Sequence, residues 1–268
     1  MPTLDLIIQP DEDDFDAAQV LVDGAIDGHP YRFLLDTGAA WSRAPFDAYT
    51  ATFATSATQR SSGVFASRAY DLITVPHIEV GPISRRDFTL VRAPQDSPDQ
   101  TSLIGMDLLK DYCCQFLFDD HQLLLDAVDA TAAPQPLQEL LLGPRGHPYV
   151  EVMVDEVRAN AIWDTGGSVT VADLSFVRSH PAQFEEAGYS TGTDPSGTQM
   201  RTPMFLMAVT TIGGQVFAPH RVAGVDLSGM NAALETPIEL GLGYPTLCQA
   251  NWIFDFPHKR WAITKRLG

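Results

Sequence analysis

An internal repeat constrains this chain more than any other feature of its sequence. Residues 22–42 align without a gap on residues 150–170, and each copy contains Asp-Thr-Gly, at residues 36–38 and at residues 164–166. One such tripeptide arises by chance in about one chain of this length in twenty, and two arise in roughly one in a thousand. Two copies at equivalent places in a repeat therefore indicate two related halves.

Both copies predict the same local structure, a hairpin followed by an apolar strand. Asp27-Gly28 is a strong hairpin dipeptide in the first copy, and residues 155–156 follow alternating valines in the second. The strands predicted over residues 31–35 and 159–163 each end directly before an Asp. The repeat thus places two carboxylates at the ends of two equivalent strands.

Further features follow in the same order in both halves and extend the repeat over nearly the whole chain. They are turns at 80–81 and 212–214, apolar-Gly segments at 103–105 and 241–243, and closing strand pairs at 116–119 with 123–125 and 253–255 with 261–263. We predict an N-terminal half at 1–130, a linker at 131–148 and a C-terminal half at 149–268. Linker residues 137–142 either pair or pack, and residues 181–188 predict a short helix.

Charge and composition exclude several classes of partner. The chain has 17 basic and 34 acidic residues, for a net charge of -17, which repels phosphate backbones and anionic lipid headgroups. We expect no nucleic-acid and no membrane partner, and we assign the acidic surface to solubility. The acidic N-terminus and the lack of a long apolar run predict neither a signal peptide nor a membrane span, so the expected compartment is the cytoplasm.

Cysteine and histidine show no pattern of a metal or redox site. Two of the three cysteines are adjacent, and an odd, small number is not a disulfide framework. The seven histidines are scattered without ligand spacing, and neither a Ser-His-Asp signature nor a Gly-rich phosphate loop is present. We therefore expect no metal and no cofactor.

The motifs around the two Asp residues resemble those of the aspartic peptidase superfamily. Residues 33–39, Phe-Leu-Leu-Asp-Thr-Gly-Ala, together with residues 103–109, Leu-Ile-Gly-Met-Asp-Leu-Leu, look like a retropepsin-type half. Residues 161–168 and 240–243 are similar, although residues 244–247 lack the Met-Asp-Leu-Leu form. The resemblance implies an all-β fold of two homologous retropepsin/pepsin-like β-barrel halves with pseudo-twofold symmetry and a central cleft. A monomer would then carry a complete site.

The resemblance implies that Asp36 and Asp164 are the catalytic carboxylates of an aspartic endopeptidase. Two carboxyls about 3 Å apart cannot both ionise, so one can take a proton from water while the other donates to the substrate carbonyl. We expect Gly38 and Gly166 to turn the backbone sharply with positive φ and to bring amide donors close to these carboxyls. The expected partner is a peptide or protein substrate.

Other residues of the two loops have supporting roles. The resemblance implies that Thr37 and Thr165 hydrogen-bond across the interface between the halves. Ala39 and Gly167 stand where pepsin-type loops commonly place a hydroxyl, and fewer hydrogen bonds stabilise an anion less. We therefore predict a pH optimum less acidic than that of a digestive protease. Trp41 either lines a substrate pocket or packs beside the core, and packing is favoured.

Relatives of this type cover the cleft with a flap, and two Gly-containing stretches occupy the corresponding order, at 61–65 and 194–198. An ordinary loop is the alternative at both places. The flap candidates are Gly63, Val64, Phe65 and Gly197.

Two alternatives to hydrolysis come from other classes of function. A β protein of this kind could be an inactive scaffold, since a fold alone carries no activity. It could also be an adaptor that binds extended peptides by strand addition without cutting them. Two facing acids are electrostatically costly without use, so retention of both favours the enzyme.

Overall fold

The structure is a computed structural model that describes residues 2–12, 14, 16–62, 67–126, 136–193, 199–232 and 234–267. Short strands joined by tight turns make up most of the chain. The first strands are β1 (Thr3–Asp5), β2 (Ile7–Pro10), β3 (Ala18–Ile26), β4 (His29–Leu35), β5 (Arg43–Ala44), β6 (Thr55–Ser62), β7 (Ser67–Val80), β8 (Ile83–Arg92), β9 (Leu103–Ile104), β10 (Cys113–Leu117) and β11 (Gln122–Leu125).

The later strands follow in the same style. They are β12 (Gln138–Glu139), β13 (Leu141–Leu142), β14 (Pro148–Val154), β15 (Val157–Trp163), β16 (Val171–Asp173), β17 (Phe184–Thr193), β18 (Gln199–Met207), β19 (Thr210–Ile212), β20 (Gln215–Phe217), β21 (His220–Val225), β22 (Leu240–Leu242), β23 (Ala250–Asp255) and β24 (Arg260–Arg266). The helices are α1 (Met106–Leu109), α2 (Leu174–Ser179), α3 (Ser228–Asn231) and α4 (Tyr244–Leu247), with 3-10 turns at Thr50–Thr52 and Pro181–Gln183.

Within the described residues the strands form three sheets. An eight-stranded sheet has the order β2-β3-β4-β9-β5-β8-β7-β6. A ten-stranded sheet has the order β17-β18-β21-β16-β22-β15-β14-β19-β20, with β13 beside β14. A six-stranded sheet, β1-β11-β10-β23-β24-β12, contains strands from both ends of the chain. The β10–β23 pair in this sheet joins the two halves.

The first and second halves repeat one pattern of strand pairing around the site. In the first half, β9 is parallel to β4 and antiparallel to β5, and β5 is parallel to β8. In the second, β22 is parallel to β15 and antiparallel to β16, and β16 is parallel to β21. The all-β fold of two related halves is confirmed.

The predicted hairpin turns form where the sequence places them. Asp27 and Gly28 have φ angles of 48° and 80°, and positive φ at both central residues suits a type I′ turn that matches the twist of β3 and β4. Asp155 has a φ of 53° at the equivalent turn, and Gly81 and Gly213 have φ angles of 53° and 57° at the next turns.

An aromatic cluster packs the six-stranded sheet beneath the end of β15. The ring of Trp163 lies 4.7 Å from that of Phe116, 4.5 Å from that of Phe254 and 5.8 Å from that of Trp252. All four side chains are fully buried. Such aromatic pairs contribute about 0.5–1.5 kcal/mol each beyond burial of their area. The residue directly before Asp164 is therefore held by side chains from both halves.

The helix predicted over residues 181–188 is wrong. One 3-10 turn, Pro181–Gln183, leads directly into β17, which pairs with β18. Gly188, with a φ of 82°, lies where the register of β17 shifts rather than at a helix end. Phe184 is buried against Phe176, and this packing overrides the local helix signal.

The helix of this region lies earlier in the chain, at α2. Asp173 is its N-cap, and the Asp173 side chain accepts a hydrogen bond from the backbone N–H of Ser175. An Asp before an apolar segment is a recognised start signal. The helix was therefore detectable from residues 173–179.

The structure describes only part of the predicted linker. Residues 131–135 lie outside the described residues. Strand β12 pairs with β24 and β13 pairs with β14, so part of the 137–142 stretch pairs. The domain boundaries stay a prediction. In the described part of the chain, no helix is long and apolar enough to cross a membrane.

Candidate active site

Equivalent strands deliver Asp36 and Asp164 to the site. The backbone N–H of Asp36, directly after β4, donates to the carbonyl of Ile104 in β9 at 2.9 Å. The backbone N–H of Asp164, directly after β15, donates to the carbonyl of Leu242 in β22 at 3.0 Å. Each Asp is thus fixed at the start of its loop by the parallel strand beside it.

Each glycine of the Asp-Thr-Gly loops lies against the carboxyl of the opposite half. A Cβ added to Gly38 would lie 2.6 Å from Oδ1 of Asp164, and one added to Gly166 would lie 2.4 Å from Cγ of Asp36. No side chain fits at either distance. The backbone N–H of Gly166 also donates to Oδ1 of Asp164 at 2.9 Å. The positive φ expected at Gly38 and Gly166 is wrong, since neither glycine adopts it. The glycines are required instead for this close approach of backbone to carboxyl.

Thr37 and Thr165 join the two loops through reciprocal hydrogen bonds. The backbone N–H of each donates to the hydroxyl of the other at 3.1 Å, and the hydroxyl of Thr37 donates to the carbonyl of Trp163 at 2.7 Å. Both threonines are buried, so water does not compete for these groups. The predicted contact across the interface is confirmed.

The pKa values of both carboxyls are raised. Burial is the main cause for Asp36, followed by the charge of Asp164 and a hydrogen bond to it, while the charge of Arg43 acts in the opposite direction. Burial also raises the pKa of Asp164, but hydrogen bonds from the Gly166 backbone, from Asp36 and from the Gly167 backbone oppose the rise. Both Asp residues retain partial exposure to solvent. The two carboxyls therefore titrate as a pair that retains a proton more readily than an ordinary Asp does.

Ala39 and Gly167 contribute backbone groups to the loops. The N–H of Ala39 donates to the carbonyl of Asp36 at 3.2 Å, and its own carbonyl accepts from the N–H of Met106 at 2.8 Å. The N–H of Gly167 donates to the carbonyl of Asp164 at 3.3 Å, and its carbonyl accepts from the N–H of Tyr244 at 2.8 Å. Backbone hydrogen bonds therefore attach the two loops to α1 and α4.

Further polar residues, which the sequence did not assign to the site, hold the starts of α1 and α4 in place. In the first half the hydroxyl of Ser42 accepts from the N–H of Gly105 at 3.0 Å and donates to Asp107 at 2.7 Å. In the second half the hydroxyl of Thr170 accepts from the N–H of Gly243 at 3.2 Å. The alignment of Ser42 with Thr170 in the repeat was the signal that could have found them.

Other predicted residues are placed differently. The flap candidates Gly63, Val64, Phe65 and Gly197 lie outside the described residues.

Trp41 was expected to pack, yet 45% of it is exposed beside the loop that carries Asp36, so the packing interpretation is wrong.

Arg43 was missed because its charge reaches Asp36 only through the fold. It lies on β5, opposite Leu103 of β9. Its guanidinium donates to Asp99 at 2.6 Å and to the carbonyl of Thr101 at 2.9 Å. The side chain of Arg43 is largely buried, so this charge is screened weakly by solvent.

Comparison with known proteins agrees with this geometry. Residues 22–108 match the family model of the aspartyl protease, a segment that contains the first Asp-Thr-Gly loop, β9 and most of α1. No curated protein matches the chain significantly. The match over residues 22–108 supports assignment of this segment to the aspartic peptidase superfamily.

Proposed function

We propose that this chain is an aspartic endopeptidase, which hydrolyses peptide bonds with a water activated between Asp36 and Asp164. The observation that supports the proposal best is the pair of carboxyls, both with a pKa raised by burial, that of Asp36 also by the charge of Asp164. Burying two neighbouring carboxyls costs folding free energy, and pairs of this kind are found mainly at functional sites. A glycine of each half lies against the carboxyl of the opposite half, so each carboxyl packs on the backbone of the other loop.

The proton arrangement follows from the hydrogen bonds. In the proposed arrangement Asp36 holds the shared proton and donates it to Asp164, which is the anion of the pair. Asp164 also accepts from the backbone of Gly166, which stabilises its anion. Asp164 is therefore the base that takes a proton from water, and Asp36 is the acid that donates to the substrate carbonyl.

Hydrolysis then proceeds in two proton-balanced steps. The water oxygen bonds to the carbonyl carbon, one water proton moves to Asp164, and the proton of Asp36 moves to the carbonyl oxygen. The tetrahedral intermediate breaks when Asp164 returns its proton to the amide nitrogen, the C–N bond cleaves, and Asp36 regains a proton from a hydroxyl of the intermediate. No metal, cofactor or covalent enzyme intermediate is needed.

The proposed substrate is a peptide or protein bound in extended form between the halves. The exposed indole of Trp41 directly follows the Asp36 loop and offers an apolar, rigid contact for a substrate side chain. The network around the pair joins two halves of one chain, so we propose that a monomer is competent for catalysis.

Cleavage of a mixed peptide library, followed by mass spectrometry from about pH 3 to about pH 8, tests the proposal. Wild type should cut, and Asp36→Asn and Asp164→Asn should not, whereas Asp5→Asn, a change at an exposed carboxylate of β1, should cut normally. We expect an optimum less acidic than about pH 2, because neither Ala39 nor Gly167 offers a hydroxyl to the carboxylates.

Two results would contradict the proposal. Folded wild type that binds library peptides but returns them intact would favour the peptide-binding adaptor, and no binding at all would favour the inactive scaffold. Cleavage that survives both Asn substitutions would place the chemistry elsewhere.

A further inference from the structure

The two halves secure their catalytic loops with different side chains. We call the chain of hydrogen-bonded side chains that holds a catalytic loop in place its lock. In the first half the lock ends at a carboxylate, because Ser42 donates to Asp107. In the second half Thr170 lies 2.7 Å from the hydroxyl of Thr246, and that hydroxyl lies 2.8 Å from Nε2 of His220. A histidine thus stands at the end of the lock where the first half has an acid.

The hydrogen bonds in this second lock run in one direction. Nδ1 of His220 lies 3.0 Å from the carbonyl of Ala218, which can only accept, so Nδ1 carries the proton and Nε2 accepts. Thr246 therefore donates to His220, Thr170 donates to Thr246, and the N–H of Gly243 donates to Thr170. Both threonines are fully buried, so water cannot replace a missing link.

The far end of the lock reaches the loop that carries Asp164. Gly243 leaves no room for movement, since a Cβ added to it would lie 2.1 Å from the carbonyl of Val169. The next residue, Tyr244, donates its N–H to the carbonyl of Gly167. The N–H of Gly167 in turn donates to the carbonyl of Asp164. Displacing Gly243 would therefore displace the backbone on which the proposed base is mounted.

The near end of the lock lies at a cavity open to the surface. His220 lines this cavity of about 400 Å³ together with Asp16, Arg221, Tyr244 and Cys248. Burial lowers the pKa of His220 below its ordinary value, which favours the neutral, accepting imidazole that the lock requires. The cavity is roomy enough to admit a small molecule if the imidazole is removed.

We propose that His220 is a positioning residue, which holds the Asp164 loop in its catalytic geometry by accepting the hydrogen bond of Thr246. The inference rests on the proposed function for its effect on cleavage, but its effect on the loop is independent of catalysis. His220 itself contacts neither carboxyl of the pair.

Hydrogen exchange of residues 163–171 and 240–247, followed by mass spectrometry, tests the positioning directly. His220→Leu removes the acceptor, and we expect amide exchange in both segments to rise at least about fivefold. His220→Gln keeps an acceptor at similar reach and should restore slow exchange. His180→Leu, at a half-buried histidine of the same half whose ring nitrogen bonds to the backbone of Phe176, is the matched control and should leave both segments unchanged.

Cleavage kinetics give the second readout. We expect His220→Leu to lower kcat at least about fivefold with little change in KM, His220→Gln to restore kcat, and added imidazole to restore part of the kcat lost by His220→Ala. If His220→Leu does not fold, Thr246→Val breaks the same chain one link further in, and Thr246→Ser should repair it.

The outcomes separate the two proposals. If amide exchange is faster in the acceptor-free variants but wild type cuts no peptide, the positioning role is supported and the proposed function is overturned. Unchanged exchange and unchanged kcat in both His220→Leu and Thr246→Val, in a wild type that cuts, would overturn the positioning and leave the proposed function standing.

Discussion

The backbone N–H of Thr37 donates to the hydroxyl of Thr165, and the backbone N–H of Thr165 donates to the hydroxyl of Thr37, each at 3.1 Å. This pair of hydrogen bonds crosses the interface between the halves at the residues that directly follow Asp36 and Asp164. The separation of the two carboxyls is therefore set by the interface, and stability and catalysis depend on the same contacts.

Removing either hydroxyl should destabilise the protein. Thr165→Val leaves the buried N–H of Thr37 without its acceptor, at a cost of about 1–3 kcal/mol. Thr37→Val should cost more, because its hydroxyl also donates to the carbonyl of Trp163. Denaturant unfolding measures both, with Thr52→Val, an exposed threonine of the same half, as the control near zero. Equal unfolding free energies for all four proteins would contradict this prediction.

Adding a methyl group at either catalytic glycine should abolish cleavage without unfolding the chain. In Gly38→Ala and Gly166→Ala the new Cβ meets the opposite carboxyl at 2.6 Å and 2.4 Å, so the carboxyl must move, at a cost of roughly 100-fold in rate or more. Gly229→Ala, where nothing lies within 4 Å, should cleave normally. Full activity in either of the first two variants would show that the carboxyls have more freedom than the structure gives them.

The raised pKa of Asp36 predicts a specific dependence of stability on pH. Asn imitates the protonated acid, and below the ordinary pKa of 3.8 both proteins should have similar unfolding free energies. Above it the unfolded wild type ionises while folded Asp36 stays protonated, so wild type loses more stability with rising pH than Asp36→Asn, in which only Asp164 has a raised pKa. The gap should reach about 1.4 kcal/mol for each unit by which the pKa is raised. Unfolding at a series of pH values measures it, and a variant less stable than wild type at neutral pH would contradict the assignment.

Arg43 and Asp99 should shift the pH profile of cleavage in opposite directions. Arg43→Gln removes a charge that lowers the pKa of Asp36, so the alkaline limb, on which Asp36 loses its proton, should move to higher pH. Asp99→Asn leaves the charge of Arg43 without its partner, so the limb should move to lower pH. Arg32→Gln, at an exposed pair with Asp23, should move nothing. Shifts of the same sign in the first two variants would mean that disruption of structure, rather than charge, is responsible.

The repeat allowed the centre of the site to be predicted from sequence. Asp36 and Asp164 follow strands whose pattern and turns are local properties, and a gapless alignment carries the same reasoning from one half to the other. Thr37 and Thr165 came with the family resemblance. These predictions needed no knowledge of which distant segments meet.

The residues that the sequence analysis missed act through contacts between segments that are distant in the sequence. His220 reaches Thr246 from another strand, and the charge of Arg43 acts on Asp36 across β9, so no spacing in the sequence announces either contact. The strand at Phe184–Thr193 was mistaken for a helix for the same reason, because pairing with β18 decides its conformation. Residues that act through tertiary packing become visible only with coordinates.

The central claim is that the two carboxylates work as one unit, and a double-mutant comparison of cleavage rates tests it most directly. We expect Asp36→Asn and Asp164→Asn each to lower the rate by about 100- to 10,000-fold, and the double variant to be no slower than either single variant. Multiplying losses, or substantial activity in one single variant, would show that the carboxyls act separately and would contradict the account.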